Sequence, residues 1–181
     1  MSLVSKANFR KLALNRLLFF SSFAKIKKNK NICSKIIKII EYHRPKKILL
    51  YIPLNLEVDV MPIIIELRKR KNIEVYVPFM TGKSFVPVKF RLPLKVKKFG
   101  IKEPSFSRFR NNDIKLDMII VPIVGIDETY RRIGFGAGMY DRFFDTLTVK
   151  PVTIFTQLKL CKSEEIVTSD HDIKADYIIT M

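Results

Sequence analysis

Two short apolar runs restrict the fold more than any other feature of this chain. Residues 47–52 read Lys-Ile-Leu-Leu-Tyr-Ile, and residues 116–122 read Leu-Asp-Met-Ile-Ile-Val-Pro. Neither alternates apolar with polar residues, as a strand with one wet face does. A near-continuous apolar run of this length suits a strand covered on both faces, the setting of a parallel sheet. Shorter strands are expected at residues 73–78, 85–90, 152–155 and 175–180. Between them lie segments of helical spacing. In residues 5–23, Phe9, Leu12, Ala13, Leu17 and Phe20 mark one helix, and in residues 31–42, Ile32, Ile36, Ile37, Ile39 and Ile40 mark a second. Arg44-Pro45 stops that second helix, because a residue before proline avoids the helical region. Residues 60–70 and 138–147 complete the helical set, and residues 100–104 read as a loop. This alternation predicts a single α/β domain over residues 1–181. The expected form is a three-layer, doubly wound, mainly parallel sheet with helices on both faces.

In such sheets ligands bind at the carboxyl ends of strands. Two loops take that position. Residues 53–59 follow the first apolar run and carry Glu57 and Asp59; their plainest role is to cap the helix that follows. The second loop contains Arg131-Arg132-Ile133-Gly134-Phe135-Gly136-Ala137-Gly138-Met139-Tyr140-Asp141-Arg142, with three of the chain's six glycines at alternate positions. Glycine is costly to order and offers no side chain to pack. Three together, flanked by arginines, suggest close approach of an anion to the backbone. Successive N–H groups and a following helix start make a phosphate cradle. The spacing is not the dinucleotide fingerprint, which needs glycine where Met139 stands. Thr81-Gly82-Lys83-Ser84 resembles the end of a phosphate loop, but Val77 replaces the required first glycine, so a turn into the strand is expected there.

Charge agrees with an anionic partner: 34 Lys and Arg against 17 Asp and Glu give a net +17. Nucleotides, polyanionic small molecules, nucleic acid and membrane surfaces all fit that sign, as does a proteome that simply uses lysine heavily. Lys6 and Arg10, four apart, share a helix face, which favours an anion between them or plain solvent. Cys33 and Cys161 form no CxxC pair, and His43 and His171 are the only histidines, which disfavours a disulfide framework or transition-metal site. No apolar run reaches the 18 residues that suggest a membrane span. A cytoplasmic, monomeric protein without membrane attachment is expected.

The stretch Arg132-Ile133-Gly134-x-Gly136-x-Gly138-x-Tyr140-Asp141-Arg142-Phe143 resembles the signature of the 5-formyltetrahydrofolate cyclo-ligase family. Further matches stand in the same order: Lys6-x-x-x-Arg10, Glu57-Val58-Asp59, Gly100-Ile101-x-Glu103-Pro104, Val121-Pro122 with Asp127, and His171-Asp172-x-x-x-Asp176-Tyr177. The resemblance implies an enzyme that uses ATP and Mg²⁺ to close 5-formyltetrahydrofolate, including polyglutamylated forms, into 5,10-methenyltetrahydrofolate. Lys6, Arg10 and the span Arg132, Gly134, Phe135, Gly136, Ala137, Gly138, Met139 and Tyr140 would then hold ATP. Ile52, Glu57 and Tyr140 would hold the folate, and Asp141 and Asp172 the metal. Arg132, Tyr140 and Asp141 would be catalytic. Ala137 and Met139 differ from many relatives. The chain has no Trp, so Phe106 or Phe109 would replace a folate-stacking Trp.

Two other readings stand beside this one. A basic nucleic-acid-binding module would use the charge with interleaved aromatics such as Phe85, Phe90, Phe106 and Phe109. A folate binder of the same fold without turnover would keep the pocket alone. The first gives no reason for alternating glycines beside Tyr140-Asp141.

Overall fold

The computed structural model describes residues 5–22, 25–97, 100–105 and 114–181. In chain order its elements are α1 (Lys6–Ser22), α2 (Lys25–His43), β1 (Lys47–Leu49), α3 (Met61–Leu67), β2 (Glu74–Thr81), β3 (Ser84–Lys89), β4 (Leu94–Val96) and β5 (Lys102–Pro104). They continue with β6 (Met118–Pro122), β7 (Gly125–Ile126), β8 (Arg132–Ile133), α4 (Met139–Phe144), β9 (Val152–Thr156) and β10 (Tyr177–Ile179). Six strands make the central sheet, in the order β10-β9-β6-β1-β2-β3. All neighbours are parallel except β3, which turns back antiparallel along β2 at one edge.

Burial explains the apolar runs. All five residues of β6 are buried. Met118 and Ile120 join Ile48, Leu50, Val75 and Val77 on one face of the sheet, while Ile119 and Val121 join Leu49, Tyr76 and Phe155 on the other. The first face is covered by three helices, through Phe9, Ala13 and Leu17 of α1, Ile32, Ile36 and Ile40 of α2, and Ile63, Ile64 and Leu67 of α3. Each buried Leu, Ile or Phe side chain among these contributes roughly 1.5–3 kcal/mol. Among the described residues the second face has only α4, whose Phe143 ring stacks 4.5 Å from that of Phe85. Helices thus lie on both faces, but very unequally; irregular chain carrying Ile123, Ile173 and Ala175 completes the second cover.

Strand order also locates the crevice. From β1 the chain moves outward through β2 and β3; it then returns to the other side of β1 and moves outward through β6, β9 and β10. The reversal lies between β1 and β6, so the loops after these two strands face each other at the switch point.

Several local expectations change. The second helix begins at Lys25, not at residue 31, because its lysine-rich first turns have no apolar stripe although lysine is a good helix former. Residues 102–104 are not loop but β5, paired antiparallel with β4. β7 and β8 form a small hairpin before the glycine turn. α4 ends at Phe144, three residues before the expected end at 147. Gly82, at φ +67°, sits in the tight hairpin turn between the paired Thr81 and Ser84. Phe85 and Phe90 are core residues, 3% and 5% exposed, so they offer no stacking surface to nucleic acid. Phe106 and Phe109 lie outside the described residues.

Candidate active site

The β7–β8 hairpin turns the chain back at the carboxyl end of β6 and delivers Arg132 and then the glycine turn. Gly136 and Gly138 have φ of +112° and +61°, a region that disfavours any side chain. Gly134 is needed for another reason: a Cβ there would stand 2.3 Å from Arg132 Nη2. The group lying against this bare backbone is therefore the protein's own guanidinium. Arg132 is 5% exposed, and its Nη1 donates to both Asp141 carboxylate oxygens, at 2.9 and 3.2 Å. Its guanidinium also lies 5.3 Å from the centre of the Tyr140 ring. Arg132 Nε and the Tyr140 hydroxyl are buried without a hydrogen-bond partner among the described residues. Orphaned buried polar atoms are rare in proteins, and each calls for an explanation such as strain, a catalytic role, or a bound water or ion.

α1 reaches this turn from the other end of the chain. Its seat depends on Gly125, where a Cβ would lie 2.6 Å from the Phe9 ring and 2.7 Å from the Cys161 carbonyl. One turn of helix apart, Arg10 reaches the glycine turn and Lys6 reaches Asp172. Arg10 Nε donates to the Gly134 carbonyl at 2.8 Å, and Lys6 Nζ pairs with Asp172 Oδ1 at 2.5 Å. Burial pushes the Asp172 carboxyl up, but Lys6 and the Ser169 backbone N–H outweigh it and hold the group below its ordinary pKa. Within the turn, Gly136 and Ala137 are exposed, while Phe135 and Met139 pack on opposite core clusters.

Glu57 comes from the loop after β1. Its Oε2 accepts the Leu54 N–H at 2.8 Å, and its own N–H returns to the Leu54 carbonyl at 3.1 Å. Burial pushes its carboxyl up to about 7, against the pull of the Leu54 N–H, Arg132 and Lys25. The same charge, added to burial, raises the Tyr140 phenol. Glu57, Arg132 and Tyr140 thus sense one another across the switch point. Ile52 packs, half-buried, against the core on the sheet side of the loop.

The structure therefore gathers expected residues into three contact groups, Lys6 with Asp172, Arg10 with Gly134, and Arg132 with Asp141 and Tyr140, while Glu57 lies within electrostatic reach of Arg132 and Tyr140 but is bonded to Leu54. The two carboxylates expected to hold metal are held by different cations. Among the described residues, no three of His, Cys, Asp and Glu converge into a metal centre. Mg²⁺ is commonly bound by one or two carboxylates together with phosphate oxygens and waters. Asp141 and Asp172 are ion-paired with Arg132 and Lys6, and as carboxylates they are of the ligand type that hard cations take. At six residues, α4 adds little dipole to the cradle, contrary to the expectation of a longer helix.

Other contributors have little local signal. Arg142 anchors the turn by donating to the Lys83 and Ala137 carbonyls. Arg131 donates to the Asp172 carbonyl at 2.9 Å and, with Phe144, Thr148, Lys150 and Ile173, lines a cleft of about 440 Å³ that Asp172 also faces. Asp127, fully buried, accepts from Thr129, Val167 and Thr168 and so staples the segment before Asp172.

A switch-point crevice lined by arginine, lysine and carboxylates around a glycine turn defines an α/β protein with a charged candidate site at the carboxyl ends of its central strands. The family model of the 5-formyltetrahydrofolate cyclo-ligase family matches residues 3–181, and the chain belongs to that family of ligase enzymes. A 5-formyltetrahydrofolate cyclo-ligase of Mus musculus is 24% identical over 97% of this chain and 93% of its own length. One from Haemophilus influenzae is 30% identical over 59% of this chain, a match spanning 59% of that protein. The solved structure of Aquifex aeolicus 5,10-methenyltetrahydrofolate synthetase superposes with a TM-score of 0.76 at 27% identity, covering 98% of this chain and 90% of that one.

Proposed function

We propose that this protein converts 5-formyltetrahydrofolate to 5,10-methenyltetrahydrofolate with ATP as phosphoryl donor and Mg²⁺ as its counter-ion. The formyl oxygen attacks the γ-phosphorus and ADP leaves; N10 then attacks the activated formyl carbon and closes the five-membered ring, its proton is lost to solvent, and phosphate leaves with the C–O bond electrons. Such chemistry needs positioning and charge neutralisation more than a protein nucleophile. The observation that carries this reading is the cluster of buried Arg132 and Tyr140 with half-buried Asp141, together with its unpartnered Nε and phenol. Arg132 offers donors to the transferring phosphoryl group, and Asp141 orients that guanidinium. The Tyr140 hydroxyl is available to the folate. Mg²⁺, held through Asp141 and Asp172, would neutralise phosphate charge. Lys6 and Arg10 would bind the phosphates, and the cleft beside Arg131 is of a size to accept the nucleoside.

Glu57 suits the pterin, whose adjacent N–H donors match a carboxylate. Lys25, which hydrogen-bonds the Asn55 carbonyl beside it, and Lys28 and Lys159, both near the Phe20 ring, make the surroundings favourable for a polyglutamate tail. The cytoplasm is the expected compartment and a monomer the expected state. Among the described residues no helix is long and apolar enough to cross a membrane.

The test is the formation of the methenyl product, followed by its absorbance, from 5-formyltetrahydrofolate with and without Mg-ATP. The purified protein should form product only with Mg-ATP, and Asp141→Asn should lose at least 100-fold in kcat, in the range of lost electrostatic preorganisation. No product from the wild-type protein refutes the assignment; binding of folate without ATP consumption favours the non-catalytic binder.

A further inference from the structure

Tyr51 belongs to the first apolar run, yet its hydroxyl is engaged in polar contacts at the floor of the crevice. The residue lies two positions past the end of β1 and is 3% exposed. Its hydroxyl stands 2.9 Å from Thr156 Oγ1, on the last residue of β9. Because β6 lies between β1 and β9 in the sheet, this contact joins strands that are not neighbours. The same hydroxyl donates to the Val58 carbonyl at 2.9 Å. A phenol has a single proton. With that proton on Val58, the Tyr51 oxygen accepts from Thr156, whose hydroxyl also faces the Val121 carbonyl at the longer distance of 3.4 Å, and the shorter contacts run in one direction: Thr156 to Tyr51 to Val58.

Val58 is fully buried and directly follows Glu57. The turn from Leu54 to Glu57 is closed by two hydrogen bonds, so it moves as a unit. Its other ties run to α2, from Lys25 to the Asn55 carbonyl, and through the Asp59 N–H to Asn29. Among the described residues the Tyr51 bond is its side-chain hydrogen bond toward the sheet, added to the core packing of Val58 and Val60. We infer that the Thr156–Tyr51–Val58 chain is a positioning device for Glu57, fixing the folate-binding carboxylate relative to the strands at the switch point. This rests on the reading of Glu57 as the folate ligand. Tyr51 is a positioning residue: it acts on the substrate through the backbone that carries Glu57.

The experiment is steady-state kinetics with both substrates varied. Tyr51→Phe and Thr156→Val each remove one hydroxyl from the chain, and each should raise the folate KM about tenfold, the scale of one buried hydrogen bond. The ATP KM and the kcat at saturating folate should stay within about threefold of wild type, the signature of lost ground-state binding. Thr156→Ser, which keeps the hydroxyl, should keep the wild-type folate KM. The double variant should be no worse than Tyr51→Phe alone, since both act through one carbonyl. Glu57→Gln is run alongside. A raised folate KM in Glu57→Gln, with folate and ATP KM unchanged or raised together in the hydroxyl variants, overturns the positioning role and leaves Glu57 as the ligand. An unchanged folate KM in Glu57→Gln overturns that reading first, and the positioning role with it.

Discussion

Replacing Glu57 by glutamine should stabilise the ligand-free protein while removing folate binding. The carboxyl is 8% exposed, and burial moves it from an ordinary 4.5 to about 7 despite the Leu54 N–H, Arg132 and Lys25. At 1.36 kcal/mol per pH unit this displacement corresponds to about 3 kcal/mol. The folded protein holds the Glu57 proton more tightly than the unfolded chain does. The stabilising contribution of the protonated carboxyl is therefore complete below 4.5 and is lost as pH rises through about 7. Glutamine keeps an acceptor for the Leu54 N–H and has no charge to desolvate, but gives up the attraction of Arg132 and Lys25. The ligand-free variant should thus gain roughly 1–3 kcal/mol over wild type at pH 8, or about 3–9 °C in Tm for a chain of this size. That advantage should shrink steadily toward pH 5. Thermal melts of both proteins at pH 8, 6.5 and 5 measure the difference directly, and other carboxylates cancel from it. Adding 5-formyltetrahydrofolate should raise the wild-type Tm and leave the variant's unchanged. A variant no more stable than wild type at pH 8, or one whose advantage does not change with pH, refutes the reasoning.

Three other substitutions test the geometry. Gly134→Ala places a Cβ where the Arg132 guanidinium lies, and that flexible group must move off Asp141; product formation should fall at least tenfold while Tm drops by no more than about 3 °C, because no backbone is displaced. Gly125→Ala meets the Phe9 ring and the Cys161 carbonyl at once; it should cost roughly 2–4 kcal/mol in a denaturant melt, the scale of overpacking with backbone contact, and raise the ATP KM because α1 carries Lys6 and Arg10. Asp127→Ala strips partners from the Thr129, Val167 and Thr168 N–H groups and should cost roughly 3 kcal/mol at pH 7. Burial raises the Asp127 carboxyl, but its hydrogen bonds from Thr129 and Thr168 overcome that and hold it below the usual range. The wild-type advantage over Asp127→Ala is therefore present above about 4 and lost as pH falls further.

What was legible in the sequence was whatever has a local period. The apolar runs at 47–52 and 116–122 declared strands covered on both faces; the strands are shorter than the runs, Lys47–Leu49 and Met118–Pro122, and β6 is buried at every position. The alternating glycines declared a backbone that something approaches closely. Identity of the approaching group was not legible: at Gly134 it is Arg132, two residues away, folded back over its own turn. Gly125 carries no such signal, because its reason is Phe9, which meets it only after α1 docks. Tyr51 was hidden differently. An aromatic residue in an apolar run counts as core, and Tyr51 is core; its hydroxyl matters only because Val58 and Thr156 converge on it from separate segments. Lys6 and Arg10 show the same limit in electrostatic form. Their four-residue spacing places two like charges on one face, which is a small cost to an isolated helix. Only the Asp172 carboxylate and the Gly134 carbonyl, each supplied from far along the chain, turn that cost into two attractions aimed at one crevice.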